Sequence, residues 1–294
     1  MGTPRAVLVR RTTELDELVA HHGTRGQAEF FLRTREQSIE PLVQRHQGTQ
    51  AARQTVLAAV PADWRRAEVE RAELARFVFE PDDVVIVVGQ DGLVANVAKY
   101  LGAQPVIGID PLPGANPGVL VPHPAAATGD LVRDVVAGRA AYLERTMVRA
   151  VADDGQELTA LNELYLGQVG HQSARYLLGW RGTAERQSSS GVIVGTGTGA
   201  TGWCASIQRA SAPGLALPRP ADPSLVWFVR EAWPSTVTGT TLAAGPLDSD
   251  ELTLRVESES LVTFGDGIEA DRLVLGWGQV VRVGKAPRVL RTVA

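Results

Sequence analysis

Five branched aliphatic residues in a row, Val84-Val85-Ile86-Val87-Val88, run straight into Gly89-Gln90-Asp91-Gly92. A strand that faces water on one side alternates polar and apolar residues, because successive side chains point to opposite faces. A strand with no polar position is covered on both faces, which is the situation of a parallel sheet between helices. A helical pattern follows over Gly92–Leu101, and a second aliphatic run, Pro105–Ile109, follows that. Strand, helix and strand with short connections predict an α/β unit. Asp91 can be read two ways from this stretch alone. It ends the strand and caps the helix, or its loop holds a ligand through exposed amides.

The chain has 294 residues, enough for roughly two domains of about 100–200 residues each. With 44% hydrophobic and 21% charged residues it has the composition of a folded globular protein. A net charge of −4 gives no basic footprint for nucleic acid or for an anionic membrane. The single cysteine, Cys204, excludes a disulfide within the chain and fits a reducing cytoplasm, the expected location. No apolar run approaches the ~18 residues that a spanning helix needs, and the opening MGTPRAVLVRRTTE lacks a signal peptide's apolar core.

Along the chain, Ala6–Val9 reads as a first strand, and 13–60 as two or three helices with apolar residues at helical spacing. His21, His22, Arg25, Arg33 and Arg35 in that region form a solvated face or the lip of a site. Beyond about Arg133 the pattern changes. Short, often alternating runs at 143–151, 158–166, 176–180, 192–194, 225–230, 252–257 and 273–275 are separated by Gly, Pro, Asp and Ser, as in a layered β domain. Residues 211–223 hold four prolines and read as a loop. Short segments at 280–283 and 289–290 close the chain. The expected architecture is an α/β N-terminal domain with a parallel sheet over 1–134, then a β-rich, sandwich-like domain over 135–276. The tail, about 277–294, is free to return to the first domain.

The segment Gly278–Lys285 lacks the spacing of a Walker phosphate loop, and Ala286 stands where Ser or Thr would hold magnesium. The five histidines, His123 and His171 among them, are scattered without zinc-ligand spacing; no metal ligand is assigned. Residues 197–202, GTGATG, match a dinucleotide-binding fingerprint literally. The next strand-like run begins only at Leu225, and the flanks read as β-rich, which opposes that assignment. The glycines expose amides and Thr196, Thr198 and Thr201 offer hydroxyls, so a polar or phosphorylated ligand can approach closely. In ALNELYLG, 160–167, Asn162 and Glu163 are either a surface pair or a strand end that reaches a ligand.

Taken in order, Gly89-Gln90-Asp91-Gly92, Gly108-Ile109-Asp110, Ala160-Leu161-Asn162-Glu163 and Gly195 through Trp203 resemble the motifs of the NAD kinase family. Their usual forms there are GGDG, G-I-N, A-L-N-E and S-T-P-T-G-S-T-A-Y. The resemblance implies an NAD kinase-like fold, related to diacylglycerol kinases, with the active site between the two domains. It implies a Mg²⁺-dependent kinase that uses ATP or another phosphoryl donor and acts on NAD or a related small molecule, or on a different nucleoside, sugar or polyol. A non-catalytic nucleotide-binding sensor is the alternative. Carried over by residue, Asp91 is the general base, and Gly89, Gln90, Gly92 and Asn96 lie on the phosphate-donor side. Asn162, Glu163, Thr196, Thr198, Gly199 and Thr201 bind the acceptor. Trp203 replaces a Tyr that stacks on the acceptor's base, and Ser190 stands where the family has an Asp. Gln90 replaces the second glycine and Gly197 the loop's proline. Partners are small nucleotide substrates, with no nucleic acid and no membrane, and a homo-oligomer is expected by resemblance.

Overall fold

The computed structural model describes residues 4–115 and 118–294. The chain divides into two compact units, one reaching to Leu143 and including Arg291–Ala294, the other Glu144–Leu290. The sequence reading set the change at 134/135 and the return from about 277.

The first unit is built on the parallel sheet that the aliphatic runs require. Its strands are β1 (Arg5–Arg10), β2 (Arg65–Glu70), β3 (Asp83–Val88), β4 (Pro105–Asp110) and the short β5 (His123–Pro124). They run side by side as β2-β1-β3-β4-β5, every pair parallel. Arg291 and Thr292 also pair in parallel with Pro105 and Val106. Every residue of β3 is buried. The helices are α1 (Glu14–His22), α2 (Arg25–Arg33), α3 (Glu40–Ala59), α4 (Asp91–Ala98) and α5 (Thr128–Val136). Thr13 and Asp16 close a capping box at the start of α1. Ala52 and Val56 of α3 and Val132 of α5 pack with Ile86 and Ile107 in one core. Strand β2 has no apolar signature: only Val69 of RRAEVE is buried. It is an edge strand, and Glu68 is paired by Arg10 and Arg53. In the histidine-rich segment the His22 ring lies 4.2 Å from that of Phe31, and the Arg35 guanidinium lies 3.6 Å from the Phe31 centroid.

The second unit is a two-sheet sandwich. Strand β6 (Tyr142–Ala152) leads into it, then β7 (Glu157–Ala160), β8 (Glu163–Gly167), β9 (Ala174–Trp180), β10 (Thr183–Ser189) and β11 (Val192–Thr196). Helix α6 (Trp203–Ser211) follows, then β12 (Leu225–Val229), β13 (Ala244–Leu247), β14 (Leu252–Val256), β15 (Ser260–Gly265), β16 (Arg272–Gly276) and β17 (Val280–Val293). One sheet runs β10-β9-β14-β17, with β7 paired to β6. The other runs β13-β12-β11-β8-β15-β16 and is antiparallel throughout. Tyr176, Leu178, Leu254 and Val283 of the first meet Leu164, Leu166, Val194 and Trp227 of the second in a shared core. Their alternation along each strand is the sandwich signature. The run 158–166, read from sequence as one strand, is two. Strand β7 ends at Ala160 in one sheet, and β8 begins at Glu163 in the other.

Candidate functional site

In the first unit, the end of β3 and the start of α4 enclose one side of a pocket of about 210 Å³. Gly89, Gln90, Asp91, Gly92, Asp110, Gly118 and Val121 line it. Gln90 is the N-cap residue of α4, and its side chain makes no capping bond. The first-turn amides of a helix have no intrahelical acceptors and carry the positive end of its dipole, so this is a place for an anion. No heavy atom lies within 4 Å of where a Cβ on Gly92 would sit. Bare backbone therefore faces open space there. A Cβ on Gly89 would stand 2.9 Å from Leu93 Cδ2.

Asp91 is not the helix cap. Its Oδ2 accepts the Val119 N–H and its Oδ1 the Leu120 N–H, both at 2.9 Å. The carboxylate thus holds the segment that follows β4. A Cβ on Gly118 would collide with Asp91 Oδ1, and one on Gly108 with the Leu120 carbonyl. Both glycines are required by this close approach. Asp110, the last residue of β4, accepts the Leu112 N–H through Oδ1 at 2.9 Å. Its Oδ2 accepts no hydrogen bond among the described residues. Asn96 is not on the pocket: it is buried, and its Oδ1 accepts a 2.5 Å bond from Arg71 Nε.

In the second unit, the ends of β8, β11 and β15 converge. Asp266, just past β15, accepts the backbone N–H groups of Leu161 (2.8 Å), Asn162 (2.7 Å) and Glu163 (3.4 Å). Asp266 has a left-handed φ of 53°. Thr196 is buried and spends its hydroxyl on structure. It donates to the Leu161 carbonyl at 2.6 Å and accepts the Thr198 and Gly199 N–H groups. A Cβ on Gly199 would strike the Asn162 backbone, and one on Gly197 would strike the Arg219 carbonyl. That second contact explains why no proline stands at 197. Thr198 is only 6% exposed, and its Oγ1 is buried with no hydrogen-bond partner among the described residues. Burial, and then the nearby Asp266 charge, push the Glu163 carboxyl up to about 7. Burial and Glu163 push the Cys204 thiol up to about 12, so it is not a thiolate nucleophile.

The structure gathers Asn162, Glu163, Thr196, Thr198 and Gly199 around the β7–β8 junction that Asp266 holds. Thr201 is exposed, on the single 3₁₀ turn Gly199–Thr201 before α6. Ser190 precedes β11, at the opposite end of that strand from Thr196. There its N–H donates to the Arg230 carbonyl, and its carbonyl accepts from the Tyr165 hydroxyl. The Trp203 indole stacks on Tyr165 at 6.3 Å and 13°, with the Arg230 guanidinium 5.0 Å from its centroid. Trp203 and Ser190 thus belong to a second group, apart from Asp266. Sequence reasoning assigned no role to Asp266 or Asp110. The signal was present: Gly265-Asp266-Gly267 repeats the Asp-Gly turn, and Asp110 closes the second motif. The dinucleotide reading of GTGATG fails on topology, since β11 is antiparallel to both neighbours and no βαβ unit exists there.

A solved structure of yeast NADH kinase complexed with NADH shares this fold. The likeness covers the whole of this chain and 84% of that one, at a TM-score of 0.62 and 16% sequence identity. No family model matches the chain, and no curated protein matches it in sequence. The likeness shows an NAD kinase-like fold. Among the described residues, no helix is long and apolar enough to cross a membrane.

Proposed function

We propose that the chain is a phosphotransferase that moves the terminal phosphoryl group of ATP to a hydroxyl of NAD, NADH or a related small molecule. One observation carries the reading: a pocket at an uncapped helix start, floored by bare glycine backbone and bordered by two carboxylates, on a fold shared with an NADH kinase. Phosphoryl transfer asks mainly for positioning and charge stabilisation. The amides of Gln90, Asp91 and Gly92 bind the donor's phosphates, while the Gly89 N–H stays on the Ile109 carbonyl at 3.1 Å. A pocket carboxylate takes the acceptor's hydroxyl proton as that oxygen bonds to the γ-phosphorus, and the bond to ADP breaks with its electron pair leaving on ADP.

Among the described residues no group of three His, Cys, Asp or Glu side chains could cage a metal. Mg²⁺ arriving with ATP would keep water and phosphate ligands and need few from protein. Bound in that way, Mg²⁺ supplies charge neutralisation on the phosphates. Asn162, Glu163 and Thr198 are proposed to contact the acceptor, and the unpartnered Thr198 hydroxyl is a bond waiting for a ligand. Small nucleotide substrates, a cytoplasmic location and a homo-oligomeric state belong to the same proposal.

The two amides on Asp91 favour a second reading, a nucleotide-binding sensor without turnover. One assay separates the two: ATP, Mg²⁺ and a panel of NAD, NADH, nucleosides, sugars and polyols, scored by product mass. Phosphorylated product with an equal amount of ADP supports the kinase. Bound NAD(H) with ATP intact supports the sensor.

A further inference from the structure

We infer that the two pocket carboxylates divide the work, with Asp110 as the proton acceptor and Asp91 as the residue that positions the pocket wall. The inference rests on the kinase reading and reassigns the base within it. Asp91 has one oxygen on the Val119 N–H and the other on the Leu120 N–H, and Gly118 packs against its Oδ1. Swinging either oxygen to a substrate hydroxyl breaks a charge-assisted bond and releases the 118–121 segment. That segment supplies Gly118 and Val121 to the pocket, so the movement would dismantle the site it serves. Asp110 is placed differently. Its Oδ1 is fixed by the Leu112 N–H, which sets the carboxylate's orientation, while Oδ2 accepts no hydrogen bond among the described residues. It sits at the end of a buried strand, on a rigid element, where a base must be held to be effective. In the motif resemblance this position is an amide, Asn, which cannot take a proton. In the step, the acceptor's O–H proton goes to Asp110 Oδ2, the oxygen's electron pair forms the bond to the γ-phosphorus, and the bond to ADP's oxygen breaks.

Two variants test this in the full-length protein, Asp110→Asn and Asp91→Asn. They are read by kcat, KM for ATP and the pH dependence of kcat with the best acceptor from the panel, and by amide hydrogen exchange at Val119 and Leu120. Asp110→Asn keeps an acceptor for the Leu112 N–H and should fold normally. Its kcat should fall about 10²–10⁴-fold, its KM for ATP should hold, and the acid limb of the profile should vanish. Asp91→Asn should keep the acid limb, raise KM for ATP more than it lowers kcat, and speed exchange at Val119 and Leu120 about tenfold or more. A limb that survives in Asp110→Asn overturns the assignment. So does an intact limb with a raised Mg²⁺ requirement, which would make Asp110 a metal ligand. Unchanged exchange in Asp91→Asn overturns the positioning role. If Asp91→Asn does not fold, the limb in Asp110→Asn decides alone. Wild-type protein that phosphorylates nothing overturns the kinase reading and Asp110's role with it, while the exchange result still judges Asp91.

Discussion

Two aspartates, each followed by glycine in a turn at the end of a strand, do the same physical job in the two units. Asp91 accepts two consecutive backbone N–H groups, those of Val119 and Leu120. Asp266 accepts those of Leu161, Asn162 and Glu163. The difference lies in what each leaves beside it. Asp91 borders an open pocket and shares it with a second, less engaged acid, Asp110. Asp266 is 9% exposed, and the acid beside it, Glu163, is pushed up to about 7. One turn thus borders the pocket proposed for phosphate and proton transfer. The other makes a rigid junction where the chain passes from one sheet to the other, with a carboxyl that is easily kept neutral.

The largest effect should come from breaking the buried member of the pair. Asp266→Ala leaves two or three backbone donors unpaired, at roughly 1–3 kcal/mol each, and puts alanine at a left-handed φ. A stability loss of about 3–5 kcal/mol is expected. It would appear as a lower urea midpoint with an unchanged m value. A loss under about 1 kcal/mol would mean that solvent takes over these amides and that the junction is not a latch.

Asp91→Asn should cost less, about 1–3 kcal/mol, because asparagine keeps one acceptor but turns an N–H₂ toward an amide donor. Equal losses at the two aspartates, measured by the same urea titration, would erase the distinction between buried junction and pocket edge.

The neighbouring acids sharpen the contrast through pH. Folded, Glu163 holds its proton up to about 7, whereas the ordinary value for the free side chain is 4.5. Between these values the folded chain binds more protons than the unfolded one, so stability falls as pH rises through the window and levels off above it. Glu163→Gln should flatten that slope. If wild type and variant show parallel stability profiles from pH 4.5 to 7, the Glu163 carboxyl is ionised in the fold.

The smallest effect is expected at Gln90, which is exposed and caps nothing. Gln90→Gly should change stability by less than about 0.5 kcal/mol, yet shift the preference among phosphoryl donors, since Gln90 lines the pocket. Unaltered kinetics for every donor would show that its side chain points away.

What could be read from sequence follows from how strongly each element is patterned. Strand β3 was legible because both its faces are buried, and the helices of 13–60 because their apolar residues recur at helical spacing. Strand β2 was not, since a charged edge strand owes its pairing to neighbours such as Glu68 with Arg10 and Arg53. The break at Leu161–Asn162 was hidden for a related reason. The residue that fixes it, Asp266, lies about a hundred positions further on, and no local signal reports a long-range acceptor. The Gly89–Gly92 turn was legible as a glycine-rich turn after a buried strand, but the orientation of the Asp91 carboxylate depends on Val119 and Leu120 and could not be.

The central claim, that the turn after β3 holds the donor's phosphates, is tested most directly by amide hydrogen exchange on the wild-type chain with and without Mg²⁺-ATP. The account predicts protection at residues 89–93 and 118–121, with 196–203 unchanged by ATP alone. Protection confined to 196–203, or none at 89–93, would contradict it.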